Sequence, residues 1–201
     1  ICKTIIHSNK RFSYEEAQKN IDTSSGDFSS ELIKINLLAK ILRKNRKKNG
    51  SINFEKDETK FILDKKNNPI GVFVKQSLDT NKLIEEYMLL ANKTVTEHVS
   101  KKINNFPFVY RIHDEPDKEK ISDLKNLVKK YNYNIQIDNP KILSKSLNSL
   151  LKDIKNSPEK NLIETLVLRS MAKAKYSIKN IGHYGLAFNH YSHFTSPIRR
   201  Y

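Results

Sequence analysis

The last 20 residues of the chain concentrate side chains that could do chemistry. They combine imidazoles, phenols, hydroxyls and two adjacent guanidinium groups: His183, Tyr184, His190, Tyr191, His193, Thr195, Ser196, Arg199 and Arg200. A segment that only packed against a core would need far fewer hydrogen-bonding and stacking groups. This density predicts a functional site.

Two kinds of site are disfavoured by spacing. His190 and His193 have the i, i+3 spacing of some metal ligands, yet no Cys, Asp or Glu lies near them in the sequence, so a metal site made by these histidines is not expected. Ser196 lacks the G-x-S-x-G pattern of a hydrolase nucleophile, and a serine before a proline is typical of a helix cap.

The arginine pair has two interpretations. If Ser196 begins a helix, Arg199 and Arg200 lie in its first turn, where backbone N–H groups, the helix dipole and the guanidinium groups all favour phosphate oxygens. Alternatively, the two arginines form a surface pair bound to a nearby carboxylate. The residues alone leave both possibilities open.

The elements that must position these residues follow from hydrophobic periodicity. Ser13 with Glu16 three residues later forms a capping-box pattern, which predicts a short helix starting at Tyr14. Apolar residues at helical spacing predict further helices over 30–47, 77–102, 118–131, 140–154 and 158–173.

Between the second and third predicted helices the period changes. Ile52 and Phe54 alternate with polar residues, and the apolar runs 61–63 and 71–74 flank an NNPIG turn, which predicts two or three antiparallel strands. A further extended stretch is expected around 107–114. The predicted fold class is α+β, a single domain in which several helices pack on a small antiparallel sheet.

Composition narrows the function classes. With 37% hydrophobic residues the chain is too apolar for full disorder, and its single cysteine excludes a disulfide framework or a cysteine-rich zinc site. No apolar stretch approaches the roughly 20 residues that span a bilayer. We therefore expect a soluble, cytoplasmic protein.

The net charge of +15 favours binding to a polyanion, with nucleic acid as the obvious partner. However, 30 of the 37 basic residues are lysines, a bias also typical of chains encoded by AT-rich DNA. Charge by itself is weak support for a nucleic-acid partner.

The C-terminal segment HYGLAFNHYSHFTSPIRRY resembles the signature of the ribonuclease II/ribonuclease R family of 3'-to-5' exoribonucleases. Five further segments resemble ribonuclease R in the same order along the chain: RFSYEEAQKNID, INFEKDETKFIL, NKLIEEYMLLAN, FVYRIHDEPDKEK and LIETLVLRSM. The resemblance covers nearly the whole chain and is closer to ribonuclease R than to ribonuclease II.

The resemblance implies an RNB-type catalytic domain that hydrolyses RNA processively from single-stranded 3' ends, releasing nucleoside 5'-monophosphates with magnesium. Arg199 corresponds to the catalytic arginine of the family, and Arg200 beside it is expected to contact RNA. Tyr14 matches a tyrosine that contacts the 3'-terminal nucleotides, Glu85 an acid that binds ribose hydroxyls, and Phe54 lies near an aromatic that stacks on the last base.

Each of these residues also has an ordinary structural interpretation. Tyr14 could pack at a helix start, Phe54 could be a core residue of a strand, and Glu85 could be a solvated helix residue. His183, Tyr184 and Thr195 belong to the motif, and we expect them to hold the loop in shape.

One feature departs from the family pattern. The magnesium ligands of the family are a cluster of aspartates that precedes the region resembling Ile1, whereas the ten aspartates here are scattered and include no Asp-x-Asp pair. We therefore expect a piece of a longer exoribonuclease, without the aspartate cluster and the flanking OB-type domains. On its own this piece should bind RNA and cut it poorly or not at all.

Two alternatives remain open. One is an RNB-like RNA-binding or scaffolding protein without catalysis, and the other is a lysine-rich helical interaction domain with no RNA role.

Overall fold

The computed structural model describes residues 3–54, 58–75, 77–102 and 107–196. The chain divides into two compact units. Unit 1 comprises Ile1–Leu42 and Asp57–Tyr87, and unit 2 comprises Arg43–Lys56 and Met88–Tyr201.

Unit 1 contains three helical segments and a hairpin. Its elements are α1 (Tyr14–Thr23), the first part of α2 (Ser29–Lys48), β1 (Glu58–Leu63), β2 (Pro69–Lys75) and the first part of α3 (Asp79–Lys102). The predicted helices over 30–47 and 77–102 are confirmed, with ends that differ by at most two residues.

The hairpin pairs β1 with β2 in antiparallel register, with Phe61 opposite Val72. Its turn is closed by the Asp64 carboxylate, which accepts hydrogen bonds from the backbone N–H groups of Lys66 (2.7 Å) and Asn68 (2.9 Å). The prediction of strands around the NNPIG turn is thus confirmed. The additional strand expected at Ile52 and Phe54 is wrong, because residues 51–54 are irregular.

Unit 2 is built around three helices and a second small sheet. Unit 2 also contains the last parts of α2 and α3. Its other elements are β3 (Tyr110–Ile112), α4 (Lys118–Lys129), α5 (Pro140–Asp153), α6 (Lys160–Ser170) and β4 (Lys175–Ser177). These helices confirm the three predicted from periodicity, although α6 ends three residues earlier than predicted.

The core of unit 2 follows from local sequence signals. Asp117 caps α4, Asn139 caps α5, and Pro140 occupies the first turn of α5, where its missing N–H costs nothing. The apolar faces of the helices then meet, and their fully buried members include Val128, Leu147, Ile154, Ile163 and Val167.

The second sheet pairs β3 with β4 in antiparallel register, with Arg111 opposite Tyr176. The Arg111 guanidinium lies 4.7 Å from the centroid of the Tyr176 ring, a cation–π contact. Strand β4 was not expected from the sequence. The α+β class is confirmed, with the strands forming two two-stranded sheets. Among the described residues, no helix is both long and apolar enough to cross a membrane.

Candidate functional site

The residues predicted to form the site fall into three places. Tyr14 and Glu85 belong to unit 1, and Phe54 belongs to unit 2. Arg199 and Arg200 lie outside the described residues, as does the helix expected to start at Pro197.

Tyr14 is fixed at the start of α1 by a capping box. The Ser13 hydroxyl accepts a hydrogen bond from the Glu16 N–H (3.1 Å), and the Glu16 carboxylate accepts one from the Ser13 N–H (2.8 Å). These bonds from the Ser13 backbone and side chain lower the pKa of Glu16. The Tyr14 side chain is 41% exposed, so its ring is available for contact at a rigid helix start.

The beginning of α1 is joined to the beginning of α3. The buried Thr80 hydroxyl donates a hydrogen bond to the Tyr14 carbonyl (3.0 Å), and the Thr80 N–H donates one to the Gln18 amide oxygen (3.2 Å). Glu85 is exposed on α3 one and a half turns after Thr80, or about 7 Å along the helix axis. The structure therefore carries Tyr14 and Glu85 on two hydrogen-bonded helices of unit 1.

Phe54 follows a short segment that is clamped by hydrogen bonds. The Asn148 amide bonds the backbone twice, donating to the Ser51 carbonyl (2.9 Å) and accepting from the Asn53 N–H (3.0 Å). The Ile52 N–H donates to the Gly185 carbonyl (2.9 Å) in the C-terminal motif. Phe54, 36% exposed, is thus the end of an anchored irregular segment rather than part of a sheet.

The first half of the C-terminal motif is joined to β3. The His113 N–H donates to the Gly182 carbonyl (3.1 Å), and the Tyr184 N–H donates to the His113 carbonyl (2.8 Å). The rings of His113 and His183 stack, with centroids 5.0 Å apart and an interplanar angle of 19°. This places two imidazoles, distant in sequence, in direct contact.

Both stacked histidines are neutral hydrogen-bond acceptors. Nδ1 of His113 accepts from the Gly185 N–H (3.1 Å), and Nδ1 of His183 accepts from the Leu186 N–H (3.3 Å). A protonated ring could not accept at Nδ1, so the proton of each ring is on Nε2. Burial lowers the pKa of His113, and burial together with the neighbouring His113 lowers that of His183 to about 3. The two rings therefore hold the loop in shape and do not carry charge near neutral pH.

The second half of the motif is anchored by Asn92, a residue of α3 that the sequence did not single out. Its amide oxygen accepts a hydrogen bond from the Thr195 N–H (2.8 Å), and its amide nitrogen donates to the Tyr191 hydroxyl (3.4 Å). Asn92 is 1% exposed. A buried amide that satisfies a loop N–H fixes the backbone path immediately before the residues Pro197–Tyr201.

His190 and His193 have separate polar partners. Nδ1 of His190 is 2.8 Å from the Asn180 amide nitrogen, whereas Nδ1 of His193 is 2.7 Å from the Tyr176 hydroxyl. Within the described ranges, no group of three or more His, Cys, Asp or Glu side chains is placed to hold a metal ion. The described residues therefore contain no preformed cluster of three metal-binding side chains.

A cavity of about 630 Å³ adjoins the stacked histidines in unit 2. Its charged lining residues are Asp114, Glu115 and Lys141. The Tyr184 hydroxyl on its wall donates to the Pro140 carbonyl (2.9 Å), and burial, with Glu115 nearby, raises the pKa of this phenol to about 12. Two carboxylates against one lysine make this cavity an unfavourable site for a polyanion.

The family model of the RNB domain matches residues 1–201, the whole chain. The chain belongs to the RNB-domain family. It is 39% identical over 204 residues to ribonuclease R of Thermotoga maritima, covering 98% of this chain and 28% of that protein. It is 34% identical over 210 residues to ribonuclease R of Aquifex aeolicus, covering all of this chain and 29% of that protein. The RNB chain thus spans less than a third of the length of these relatives.

Solved structures agree with this membership. Ribonuclease R of Mycoplasma genitalium, in complex with ribose-methylated single-stranded RNA, superposes on this RNB chain with a TM-score of 0.82 and 29% identity. The match covers 94% of this chain and 30% of that one. Yeast Ssd1, a pseudonuclease, shares the fold with a TM-score of 0.64 at 21% identity.

Sequence reasoning missed two functional elements of this RNB chain. Asn92 is the last Asn of the NKLIEEYMLLAN segment, and its only signal was a polar side chain within an apolar helical pattern. His113 lies in the FVYRIHDEPDKEK segment, but that segment gave no sign of its contacts, since its partners Gly185 and His183 are far away in the sequence.

Proposed function

We propose that the full-length protein carrying this RNB chain is a hydrolytic 3'-to-5' exoribonuclease. It degrades single-stranded RNA processively and releases nucleoside 5'-monophosphates. The observation that carries this proposal is the match of the RNB domain over the whole chain, with relatives named ribonuclease R at 34% and 39% identity.

In this proposal Arg199 is the catalytic arginine and Arg200 contacts the RNA backbone. A guanidinium beside the scissile phosphate stabilises the charge that grows on its non-bridging oxygens in the transition state. Such a donor works only if it is preorganised. The hydrogen bond from the Thr195 N–H to buried Asn92 anchors the chain four residues before Arg199 in the sequence.

The nucleotide contacts are assigned to Tyr14, Glu85 and Phe54. Glu85 accepts a hydrogen bond from a ribose 2'-hydroxyl, which DNA lacks, and this gives a preference for RNA. The rings of Tyr14 and Phe54 contact bases near the 3' end, a sequence-tolerant interaction suited to an enzyme that accepts any base. The exposure of both rings supports these roles.

Magnesium dependence is part of the proposal for the full-length protein. The described residues contain no cluster of three or more metal-binding side chains. We expect the magnesium ligands in the aspartate cluster of the family, which precedes the region resembling Ile1.

The test uses the full-length protein and a single-stranded RNA labelled at its 5' end. We expect labelled products that shorten from the 3' end, release of nucleoside 5'-monophosphates, and loss of both in EDTA. Shortening from the 5' end, internal cleavage, or RNA binding without turnover would contradict the proposal. The last outcome would instead support an RNA-binding protein without catalysis.

Two variants test the residue roles. Arg199→Ala should lower the single-turnover rate by about 100-fold or more while changing RNA affinity only a few-fold, because its interaction forms in the transition state. Arg169→Ala, which removes an exposed arginine of α6, controls for the loss of charge. Glu85→Ala should reduce discrimination between RNA and DNA 3' ends. Equal defects in binding and turnover for Arg199→Ala would contradict its assigned role.

A further inference from the structure

In a second cavity of unit 2, of about 350 Å³, half of the lining residues are lysines. Lys47 comes from the last turn of α2, Lys152 from α5, Lys155 from the turn after α5, and Lys160 from the first turn of α6. The other lining residues are Asn53, Asn148, Leu151 and Glu164. Of these eight lining residues, four are lysines and one is a glutamate.

The lysine content of the chain does not account for this lining. Lysine makes up 30 of the 201 residues, so eight lining residues drawn at that frequency would include about one lysine rather than four. The larger cavity of the same unit provides an internal comparison, because its 16 lining residues include a single lysine, Lys141, and two carboxylates. The positive charge is therefore concentrated at the smaller cavity.

The wall of the lysine-lined cavity is held rigidly. Asn148 on the wall makes two hydrogen bonds to the backbone of residues 51–53, and the Arg43 guanidinium donates to the Asn53 amide oxygen (3.2 Å). Beneath the wall, Leu150 and Ile154 belong to the buried core. The lysine stems thus extend from a fixed frame, which lowers the entropic cost of gathering their charges around an anion.

The start of α6 adds to the favourable potential. Glu159, which precedes the helix, makes no side-chain cap, and its carboxylate accepts a hydrogen bond from the Tyr133 hydroxyl (3.0 Å) instead. A helix N-terminus carries partial positive charge, and Lys160 is the first residue of α6. Together with the lysines, this end of α6 favours an anionic group such as a phosphate over a neutral ligand.

The cavity is also continuous in sequence with a proposed base contact. Asn53 lines the cavity, and Phe54 is the next residue. Proteins that bind single strands without sequence preference combine aromatic side chains for the bases with a cationic groove for the backbone. Phe54 and the lysine-lined cavity supply these two features side by side.

We infer that the lysine-lined cavity binds backbone phosphates of the RNA substrate, on the part of the strand that continues past the nucleotide at Phe54. This inference rests on the proposed function for its substrate. Free phosphate and a nucleoside 5'-monophosphate share the same chemistry, and the experiment below separates them from an RNA strand.

The experiment measures RNA affinity of the full-length protein as a function of salt, in EDTA to prevent turnover. The test variant is Lys152→Gln with Lys160→Gln, which keeps unbranched polar side chains and removes two charges of the cavity. The matched control is Lys129→Gln with Lys130→Gln, which removes two exposed charges at the end of α4. Thermal unfolding of each variant checks that the fold is retained.

We expect the cavity variant to bind a single-stranded RNA about 10-fold more weakly at low salt, while the control stays within about twofold of the unmodified protein. For single strands the slope of log affinity against log salt changes by about 0.7 per phosphate contact, so the cavity variant should lose about 1.4 from this slope. A cavity variant that matches the control in both quantities would overturn the inference.

Competition by uridine 5'-monophosphate and by inorganic phosphate identifies the ligand. If the cavity variant loses affinity for either small anion but retains the RNA salt slope, the cavity is a site for free anions and the RNA assignment is wrong. Turnover in magnesium separates this inference from the proposed function. Without 3'-end shortening by the unmodified protein, the exoribonuclease proposal fails while the salt-slope result still decides the cavity.

Discussion

The helical core of unit 2 and the hairpin of unit 1 are both rich in apolar residues but bury them very differently. Leu147 and Val167 of the core have no exposed surface, whereas Phe61 and Ile70 of the hairpin are 63% and 67% exposed. The core residues recur at helical spacing on one face, for example Leu143, Leu147 and Leu150 of α5. The apolar faces of α4, α5 and α6 pack together and exclude water.

The hairpin cannot bury its apolar side chains by itself. The run from Pro69 to Val74 is apolar at nearly every position, and successive strand residues point to opposite faces, so both faces of the two-stranded sheet are apolar. Two strands bury little, and isolated hairpins are marginally stable. The difference shows that apolar content predicts an element, whereas the number of elements packed together decides whether its surface is buried.

The largest expected effect is a cavity mutation in the core. Leu147→Ala should lower the free energy of unfolding of unit 2 by about 2–5 kcal/mol, because a fully buried leucine loses its contacts and leaves a void. Hydrogen exchange in the full-length protein should then accelerate by about 30-fold or more for peptides from α4 to α6. The matched change Ile70→Ala should cost less than about 1 kcal/mol. An equally large effect at Ile70 would show that the hairpin is covered in the full-length protein.

The second effect is the loss of stability in acid, which between about pH 6.5 and 5 should be confined to unit 2. His183 has a pKa of about 3 in the folded protein, against an ordinary value of about 6.5, so the unfolded chain binds its proton at higher pH. The stability of the loop is therefore full above about pH 6.5 and is lost as the pH falls toward 3, with a slope of at most about 1.4 kcal/mol per pH unit.

Peptide-level hydrogen exchange, corrected for the intrinsic effect of pH, measures this loss. His183→Asn is the matched control, since its amide oxygen can still accept from the Leu186 N–H and does not titrate. We expect this variant to flatten the pH dependence of peptides covering residues 180–188. The hairpin contains no histidine and should show no change between about pH 6.5 and 5. At lower pH the Asp64 carboxylate, whose pKa is lowered by its hydrogen bonds from Asn68 and Lys66, also loses stabilising contacts as it is protonated. A pH dependence that persists in His183→Asn would assign the effect to another group.

A third, intermediate effect concerns the anchor of the C-terminal motif. Asn92→Leu removes the hydrogen bonds of the Asn92 amide to the Thr195 N–H and the Tyr191 hydroxyl, at a cost of about 1–3 kcal/mol for the pair. Exchange should accelerate in peptides ending at Ser196, and turnover of RNA should fall more than affinity. Tyr191→Phe removes the 3.4 Å hydrogen bond and keeps the bond from the Thr195 N–H, and it should have a much smaller effect. Equal effects of the two variants would mean that the hydrogen bond from the Thr195 N–H is not what stabilises the C-terminal motif.

These contrasts also show what the sequence can predict. Periodicity predicts α5 and the capping box predicts the start of α1, because both depend on residues within one or two turns. Strand β4 is only three residues long and carries no detectable period. The strand predicted at Ile52 is wrong because apolar and polar residues can also alternate in an irregular segment, here one that is held by Asn148.

In the candidate site, too, local patterns can be predicted from the sequence and long-range contacts cannot. The resemblance assigns roles to Tyr14, Glu85 and Arg199, and these roles stay predictions. It gives no account of the contacts that position the motif, since the stacking of His183 on His113 and the bond from Thr195 to Asn92 join residues far apart in the chain. Local patterns contain no information about such pairs.

The smallest expected effect tests local order in unit 1. Ser13→Ala removes the hydroxyl that accepts the Glu16 N–H, and a lost cap of this kind costs about 1 kcal/mol. Exchange should accelerate severalfold in the first turn of α1 and remain unchanged in α4 to α6. Ser13→Asp restores an acceptor and should restore slow exchange. Because Tyr14 is the first residue of this turn, Ser13→Ala should also weaken binding of RNA 3' ends slightly if Tyr14 contacts the terminal nucleotides. Fraying without any change in RNA affinity would argue that Tyr14 only packs at the helix start.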